Sequence, residues 1–278
     1  MSYLIGLDVG GSTTKAVLVS DGEIVHLVRA SGSEPLVSAA GAVGKLVEES
    51  GVELKKVKTI ACTGGGSRCV GSLFLGVRSV KVDELEAVGY GGLLLSRYDE
   101  AVVSSVGTGT AIVHAMKKGD RVISRHLGGT GVGGGTLVGL GKLLLDRSTL
   151  EGILTLASKG DPSVVNLTVK DIVGGPVGRI PETATASNFG RVMDGVRPED
   201  VAAGLVRMIG EVVATVSYFA ARMLSLEDRI VFVGSLPEAL GDEILRALRT
   251  LGGKGTIPKN SAYAAAIGAA SMFLPITS

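Results

Sequence analysis

The sequence predicts an α/β protein built from two similar lobes, and three observations predict it. Strand–turn–strand segments rich in apolar and β-branched residues alternate with helical segments carrying an apolar stripe. The plan of the N-terminus begins again near Asp99. Each copy carries a glycine turn at the end of its first strand, Gly10-Gly11 in one and Gly107-Thr108-Gly109-Thr110 in the other.

Tyr3–Val9 reads as a strand ending at Gly10-Gly11, Thr14–Val19 as its neighbour, and Ile24–Val28 as a third strand after an Asp21-Gly22 hairpin turn. A helix follows over Pro35–Ser50, with Leu36, Ala39, Val43 and Leu46-Val47 on one face. Lys58–Cys62 is a strand running into T-G-G-G-S. A short helix near Cys69–Leu75, a strand Ser79–Val82 and a helix opening at Asp83 complete the first unit. In the second unit Val102–Val106, Ala111–Ala115 and Val122–Leu127 repeat the three strands, with Lys118-Gly119-Asp120 as the second turn. Helices are expected near Gly133–Leu145, Leu150–Ala157 and Val201–Leu224, then a strand Ile230–Val233 and a small-residue helix Ser261–Phe273. The lobes divide as 1–98 and 99–278.

Composition narrows the function. With 28 basic and 27 acidic residues the net charge is +1, aromatics are 4% and Trp is absent, so neither a basic nor a stacking surface for nucleic acid is expected. Cys62 and Cys69 are separated by six residues, which fits neither a CxxC pair nor a zinc site, and they read as reduced thiols. No basic segment leads into an apolar signal region and no uncharged apolar run reaches about 18 residues, so a soluble cytoplasmic protein without a membrane partner is expected.

The chemistry centres on the glycine turns. At the tip of a tight hairpin, glycines let backbone N–H groups face an anion with no Cβ in the way. Ser12, Thr13 and Thr14 add hydroxyl donors, Lys15 brings a positive charge, and Asp8 at the strand end can hold a hydrated Mg²⁺ that bridges phosphates. Gly107, Thr108, Gly109 and Thr110 offer the same chemistry from the other lobe, so a nucleoside triphosphate clamped in a cleft between two hairpins follows. One such turn alone reads first as plain structure; two at equivalent places carry the inference. The segment G-G-T-G-V-G-G-G-T, Gly128–Thr136, puts glycines before a helix, where free N–H groups and the helix dipole favour an anion. Gly133, Gly134, Gly135 and Thr136 therefore border the expected nucleotide. Gly234-Ser235 after a late strand suits close passage of a base or ribose, and also suits an ordinary turn. Neither a Walker loop nor a GxGxxG helix start is present.

The segments L-D-V-G-G-S-T-T-K, S-V-G-T-G-T and the late Gly-Ser resemble the phosphate and adenosine motifs of the actin-like (ribonuclease H-like) ATPase superfamily. V-D-E-L-E-A-V-G-Y-G-G (82–92), G-G-T-G-V-G-G-G-T-L-V-G-L-G-K-L-L (128–144), D-P-S-V-V-N-L-T-V-K-D-I-V-G-G (161–175) and T-A-S-N-F-G (185–190) resemble the type II pantothenate kinases. The resemblance runs in order along nearly the whole chain. It implies a homodimeric kinase using MgATP on the primary hydroxyl of pantothenate, the first step toward coenzyme A. It also implies that Glu84 is the general base. Read from the residues alone, Glu84 beside Asp83 and Glu86 is first an acidic helix start stabilised by the dipole and only second a base at a cleft-facing junction.

The resemblance places Arg125, His126, Gly129, Asn188 and Phe189 at the acceptor. Where the family carries an Arg before its glycine segment, this chain has His126, with Arg125 just before it. Imidazole does not supply the planar, permanent charge of a guanidinium, and neighbouring strand residues face opposite ways. The departure bears on the acceptor, for which pantetheine or another small hydroxylated acid is the alternative, more than on kinase chemistry. The N-terminal segment also resembles the ATPases that activate 2-hydroxyacyl-CoA dehydratases. Those hold an iron–sulfur cluster on second-lobe cysteines, which are absent here after Cys69. A non-catalytic nucleotide or sugar sensor has no DNA-binding extension or basic patch to support it. The resemblance further suggests a dimer through Val201–Leu224, whose apolar positions exceed one core face.

Overall fold

The computed structural model describes residues 3–11, 13–32, 34–119 and 121–274. The chain opens with β1 (Tyr3–Val9), β2 (Thr13–Ser20) and β3 (Glu23–Ser31), an antiparallel meander in the expected order. Asp21 and Gly22 both take positive φ, as a two-residue hairpin turn of matching twist requires. Helix α1 (Pro35–Ser50) starts where expected: the Glu34 carboxylate accepts from the N–H groups of Leu36 and Val37, and Gly51 closes the other end at φ +68°. Then come β4 (Val57–Thr63), β5 (Leu73–Phe74), β6 (Val77–Lys81) and α2 (Glu84–Ser96).

The second unit holds β7 (Glu100–Val106), β8 (Thr110–Lys118) and β9 (Arg121–Thr130), then α3 (Gly134–Leu145) and α4 (Leu150–Ala157). A largely irregular stretch follows with β10 (Leu167–Thr168), α5 (Val169–Val173) and β11 (Thr185–Ser187). The chain ends through α6 (Pro198–Arg222), β12 (Ile230–Val233), α7 (Ser235–Leu251), β13 (Gly255–Thr256) and α8 (Ala264–Ser271).

The strand order states the duplication. The first sheet runs β3-β2-β1-β4-β6-β5 and the second β9-β8-β7-β12-β13, so each has an antiparallel meander joined through its first strand to parallel neighbours. β1 is apolar on both faces because both are covered: Ile5 and Leu7 pack under α1, while Gly6 lies against α8. The second sheet carries α6 and α7 over one face, around Ile209, Val213, Leu240 and Ile244, and α2 over the other, where Val88 and Leu93 meet Val103, Val113 and Val231.

The helices do not follow the split of the sheets. All strands of the first sheet precede residue 98 and all strands of the second follow it, yet α2 packs on the second sheet and α8 on the first. These two helices cross each other between the sheets through small residues. A Cβ on Gly91 would stand 1.9 Å from the Ala264 carbonyl oxygen, and one on Gly268 would stand 2.0 Å from that of Ala87.

Three expectations need correction. The helix expected near Cys69–Leu75 is a 3₁₀ turn over Gly65–Cys69 followed by the β5–β6 hairpin. Leu75 and Gly76 both take positive φ there, so the chain turns back instead of coiling. The terminal helix is split into a 3₁₀ turn at Ser261–Tyr263 and α8. Helix α7 was not anticipated, although Leu236, Leu240, Ile244 and Leu248 bury a stripe at helical spacing. Asp120 of the second hairpin turn lies outside the described residues.

Candidate active site

The first hairpin presents a charged pair at its mouth. Asp8 faces Lys15 across the β1–β2 ladder, with Lys15 Nζ 3.4 Å from Asp8 Oδ2. Burial pushes the Asp8 carboxyl above the usual range, and the Lys15 ammonium beside it pulls the other way. The Gly10 N–H closes the turn onto the Thr13 carbonyl at 3.2 Å. Thr14 does not serve the turn: its buried Oγ1 accepts from Ser38 Oγ at 2.8 Å and ties the hairpin to α1. Ser12 lies outside the described residues.

The second hairpin repeats this form. Gly107 N–H donates to the Gly109 carbonyl at 2.9 Å, while the N–H groups of Thr108 and Gly109 have no partner among the described residues. Three amides of the glycine run before α3 are already taken up, two of them in bracing this turn. Gly134 N–H donates to the Gly107 carbonyl at 2.8 Å and Gly135 N–H to that of Thr108 at 2.9 Å. Gly133 N–H donates to Thr136 Oγ1 at 3.2 Å. The glycines are needed for approach: a Cβ on Gly133 would stand 2.7 Å from the Thr108 carbonyl oxygen. Gly234 sits at φ +99°, and its Cβ position lies 2.4 Å from the Val106 carbonyl oxygen, which only glycine accommodates.

Glu84 opens α2. Asp83 caps the helix, its Oδ1 accepting from Leu85 N–H at 2.9 Å and Glu86 N–H at 3.1 Å, so it serves the helix end and leaves the Glu84 side chain uncommitted. Burial, then the negative charges of Asp8 and Asp83, raise the Glu84 carboxyl above its ordinary value; the Lys15 charge opposes them. A carboxylate that lines the cavity and feels both members of the Asp8–Lys15 pair stands at the same centre as the first hairpin.

These groups meet in one cavity of about 890 Å³ between the sheets. Asp8, Gly10, Gly11, Thr13, Lys15, Glu84, Gly107, Thr108, Gly109, Thr110, Gly134, Gly135, Gly234 and Ser235 all line it. Gly133 and Thr136 stand behind the second hairpin. So does Gly129, whose Cβ position is 2.2 Å from the Thr110 carbonyl oxygen.

Arg125 and His126 are exposed on β9 and do not line the cavity. His126 pairs with Val113 and so shares the face that carries α2; Arg125 pairs with His114 on the opposite face. A bulge does occur, but at Leu127, beyond both residues, so it does not bring Arg125 to the face of His126. Asn188 and Phe189 lie away from the cavity against α6. Asn188 Nδ2 donates to Glu211 Oε2 at 3.3 Å, and Phe189 N–H donates to Asn166 Oδ1 at 2.8 Å.

The cavity also has walls that sequence reasoning did not assign. Gly65, from T-G-G-G-S, lines it, and the signal was the same as at the other turns: glycines at the end of a buried strand. Val138, Leu150 and Leu236 form an apolar stretch of wall contributed by three separate helices. No spacing in the chain links them.

The chain is similar along its length to proteins of known family. The Fumble family matches residues 98–239. A type II pantothenate kinase of Bacillus cereus is 32% identical over 247 residues, covering 84% of this chain and 83% of that protein. One of Oceanobacillus iheyensis is 31% identical over 281 residues, covering 95% and 97%. Among solved structures, the activator of the 2-hydroxyisocaproyl-CoA dehydratase from Clostridium difficile with bound ADPNP superposes with a TM-score of 0.68 at 15% identity, covering 99% of this chain and 100% of that one. At that identity the likeness is one of fold, the two-lobed actin-like ATPase architecture. With two relatives above 30% identity along most of its length, and the Fumble family matching over half of it, the chain belongs to the type II pantothenate kinase family.

Proposed function

We propose that this protein transfers the γ-phosphoryl group of ATP to the primary hydroxyl of pantothenate, with Glu84 as general base. The observation that carries this reading is the convergence of Glu84, Asp8 and Lys15 with both glycine hairpins in a single cavity. The triphosphate lies between the hairpins, where the N–H groups of Thr108 and Gly109 and the Lys15 ammonium meet its charge. The adenosine lies along Gly234, against the apolar wall of Val138, Leu150 and Leu236. Glu84 takes the hydroxyl proton as the oxygen attacks phosphorus, and positioning does the rest of the work. Closing the lobes keeps water from the γ-phosphate.

A magnesium ion fits the donor set. Among the described residues no group of three or more His, Cys, Asp or Glu forms a protein cage for a metal. Asp8 offers one buried carboxylate, with the Cβ-free Gly64 only 2.6 Å from its Oδ1 at the Cβ position. That is the arrangement expected of an ion held mainly by phosphate oxygens and water. Asp8 would hold it through water, and the ion supplies charge neutralisation on the phosphates. The protein works in the cytoplasm as a homodimer. The apolar surplus of α6 supports a dimer at one end, where Phe219 and Met223 stand 53% and 86% exposed.

The acceptor site involves the β9 edge near His126, on the face of α2, and leaves Asn188 and Phe189 with a structural task. The deciding experiment is ADP release from MgATP with and without pantothenate, in the wild type and in Glu84→Gln. Pantothenate-dependent turnover that falls by roughly 10²–10⁴ in the variant is expected. Turnover that needs no acceptor would move the protein to the ATPases. Turnover with pantetheine and none with pantothenate would reassign the acceptor and leave the chemistry standing.

A further inference from the structure

Thr63 ends β4, fully buried, and its hydroxyl has no hydrogen-bond partner among the described residues. A buried hydroxyl with nothing to bond is costly, so its position asks for a reason. In the parallel β1–β4 ladder Thr63 is the register partner of Asp8. The preceding pair, Leu7 and Cys62, packs under α1, so Asp8 and Thr63 share the opposite face, toward the cavity between the sheets. Asp8 is under-supplied in its turn. Its only side-chain partner among the described residues is Lys15, at 3.4 Å, although a carboxylate accepts several bonds. The chain after Thr63 wraps the carboxylate: Gly64, at φ +86°, approaches Oδ1, and Gly65 lines the cavity. An unmet donor and an unmet acceptor therefore sit on one face of adjoining strands, within reach of each other by a change of side-chain rotamer.

We propose that Thr63 is a positioning residue: with the magnesium–nucleotide bound, its hydroxyl donates directly to the Asp8 carboxylate and fixes the face that Asp8 turns to the ion. The proposal rests on the reading of Asp8 given above and extends it to a residue that never touches the phosphates. A magnesium-bound nucleotide then profits from the hydroxyl, while a metal-free nucleotide does not.

Calorimetric titration with the ATP analogue AMPPNP, in magnesium and in EDTA, tests this on the full chain. Wild-type protein is expected to bind the magnesium complex more tightly than the free nucleotide. Thr63→Val, which keeps the shape and removes the hydroxyl, is expected to lose about tenfold of that preference with EDTA affinity unchanged, and Thr63→Ser to keep it. If Thr63→Val does not fold, Thr63→Ala is read in the same way. A Val or Ala variant that retains the full magnesium preference overturns the proposal and leaves Asp8 in place. A wild type with no magnesium preference, or an Asp8→Asn variant that keeps one, overturns the reading of Asp8 and the proposal with it.

Discussion

Glu84 shows how one residue carries both function and cost. Its proton is held more tightly than in a free glutamate because the carboxylate is partly desolvated at the cavity wall and feels the charges of Asp8 and Asp83. A base works only when ionised, so the acid limb of kcat/KM is expected above the ordinary glutamate value of 4.5, displaced toward neutrality. Asp83→Asn keeps a capping side chain and removes a like charge, so it should move that limb to lower pH; a pH–rate profile of the two proteins checks it. The same shift acts on folding. With the folded-state pKa raised, the contribution to stability is fully present below the unfolded pKa and is lost as pH rises through the folded one. Glu84→Gln is therefore expected to raise Tm at pH 7 relative to wild type and to lose that advantage near pH 4, measured by thermal melts at both. An inactive variant that is more stable at neutral pH is what a strained functional carboxylate predicts.

At the scale of elements, the crossing of α2 and α8 decides how the lobes are joined. Each helix packs on the sheet of the other unit, and they meet at Gly91 and Gly268, where backbone approaches backbone with no room for a methyl group. Helix α2 also carries Glu84 at its first turn, so the crossing sets where the base stands relative to the first hairpin. Gly91→Ala is expected to cost roughly 2–3 kcal/mol, a fall in Tm of about 5–10 °C, because the obstructing atom is a carbonyl oxygen that cannot swing aside. Calorimetric melting measures it. The sequence predicted a helix opening at Asp83. It did not say which sheet the helix would cover, since glycine and alanine at this spacing suit any close crossing.

For the molecule as a whole, the two hairpins line a shared cavity only because two sheets of matching strand plan are held together on either side of α2 and α8. Ligand closure and dimer formation belong to this scale. Light scattering at micromolar concentration is expected to give twice the chain mass, and Phe219→Glu with Met223→Glu to shift it toward the monomer. The apolar stripe of α6 was visible in the sequence, but most of it is spent on the core around Ile209 and Val213; only its C-terminal end remains exposed.

What the sequence determined by itself was local and periodic. The meanders, their glycine turns, the cap at Asp83 and the repeat near Asp99 follow from short-range sterics and alternation, so they can be read along the chain. The resemblance of whole segments added Glu84 as the base. The tertiary structure decided what depends on residues far apart in sequence. It turned the amides of Gly134 and Gly135 inward onto the second hairpin, although glycines before a helix read as a free anion site. It left Asn188 and Phe189 against α6, assembled the wall of Val138, Leu150 and Leu236, and set Thr63 beside Asp8. The physical reason is the same in each case. Turn chemistry is fixed by a residue and its neighbours, whereas a hydrogen-bond partner or a cavity wall is fixed by which element arrives opposite, and that is settled by packing two sheets and their exchanged helices together.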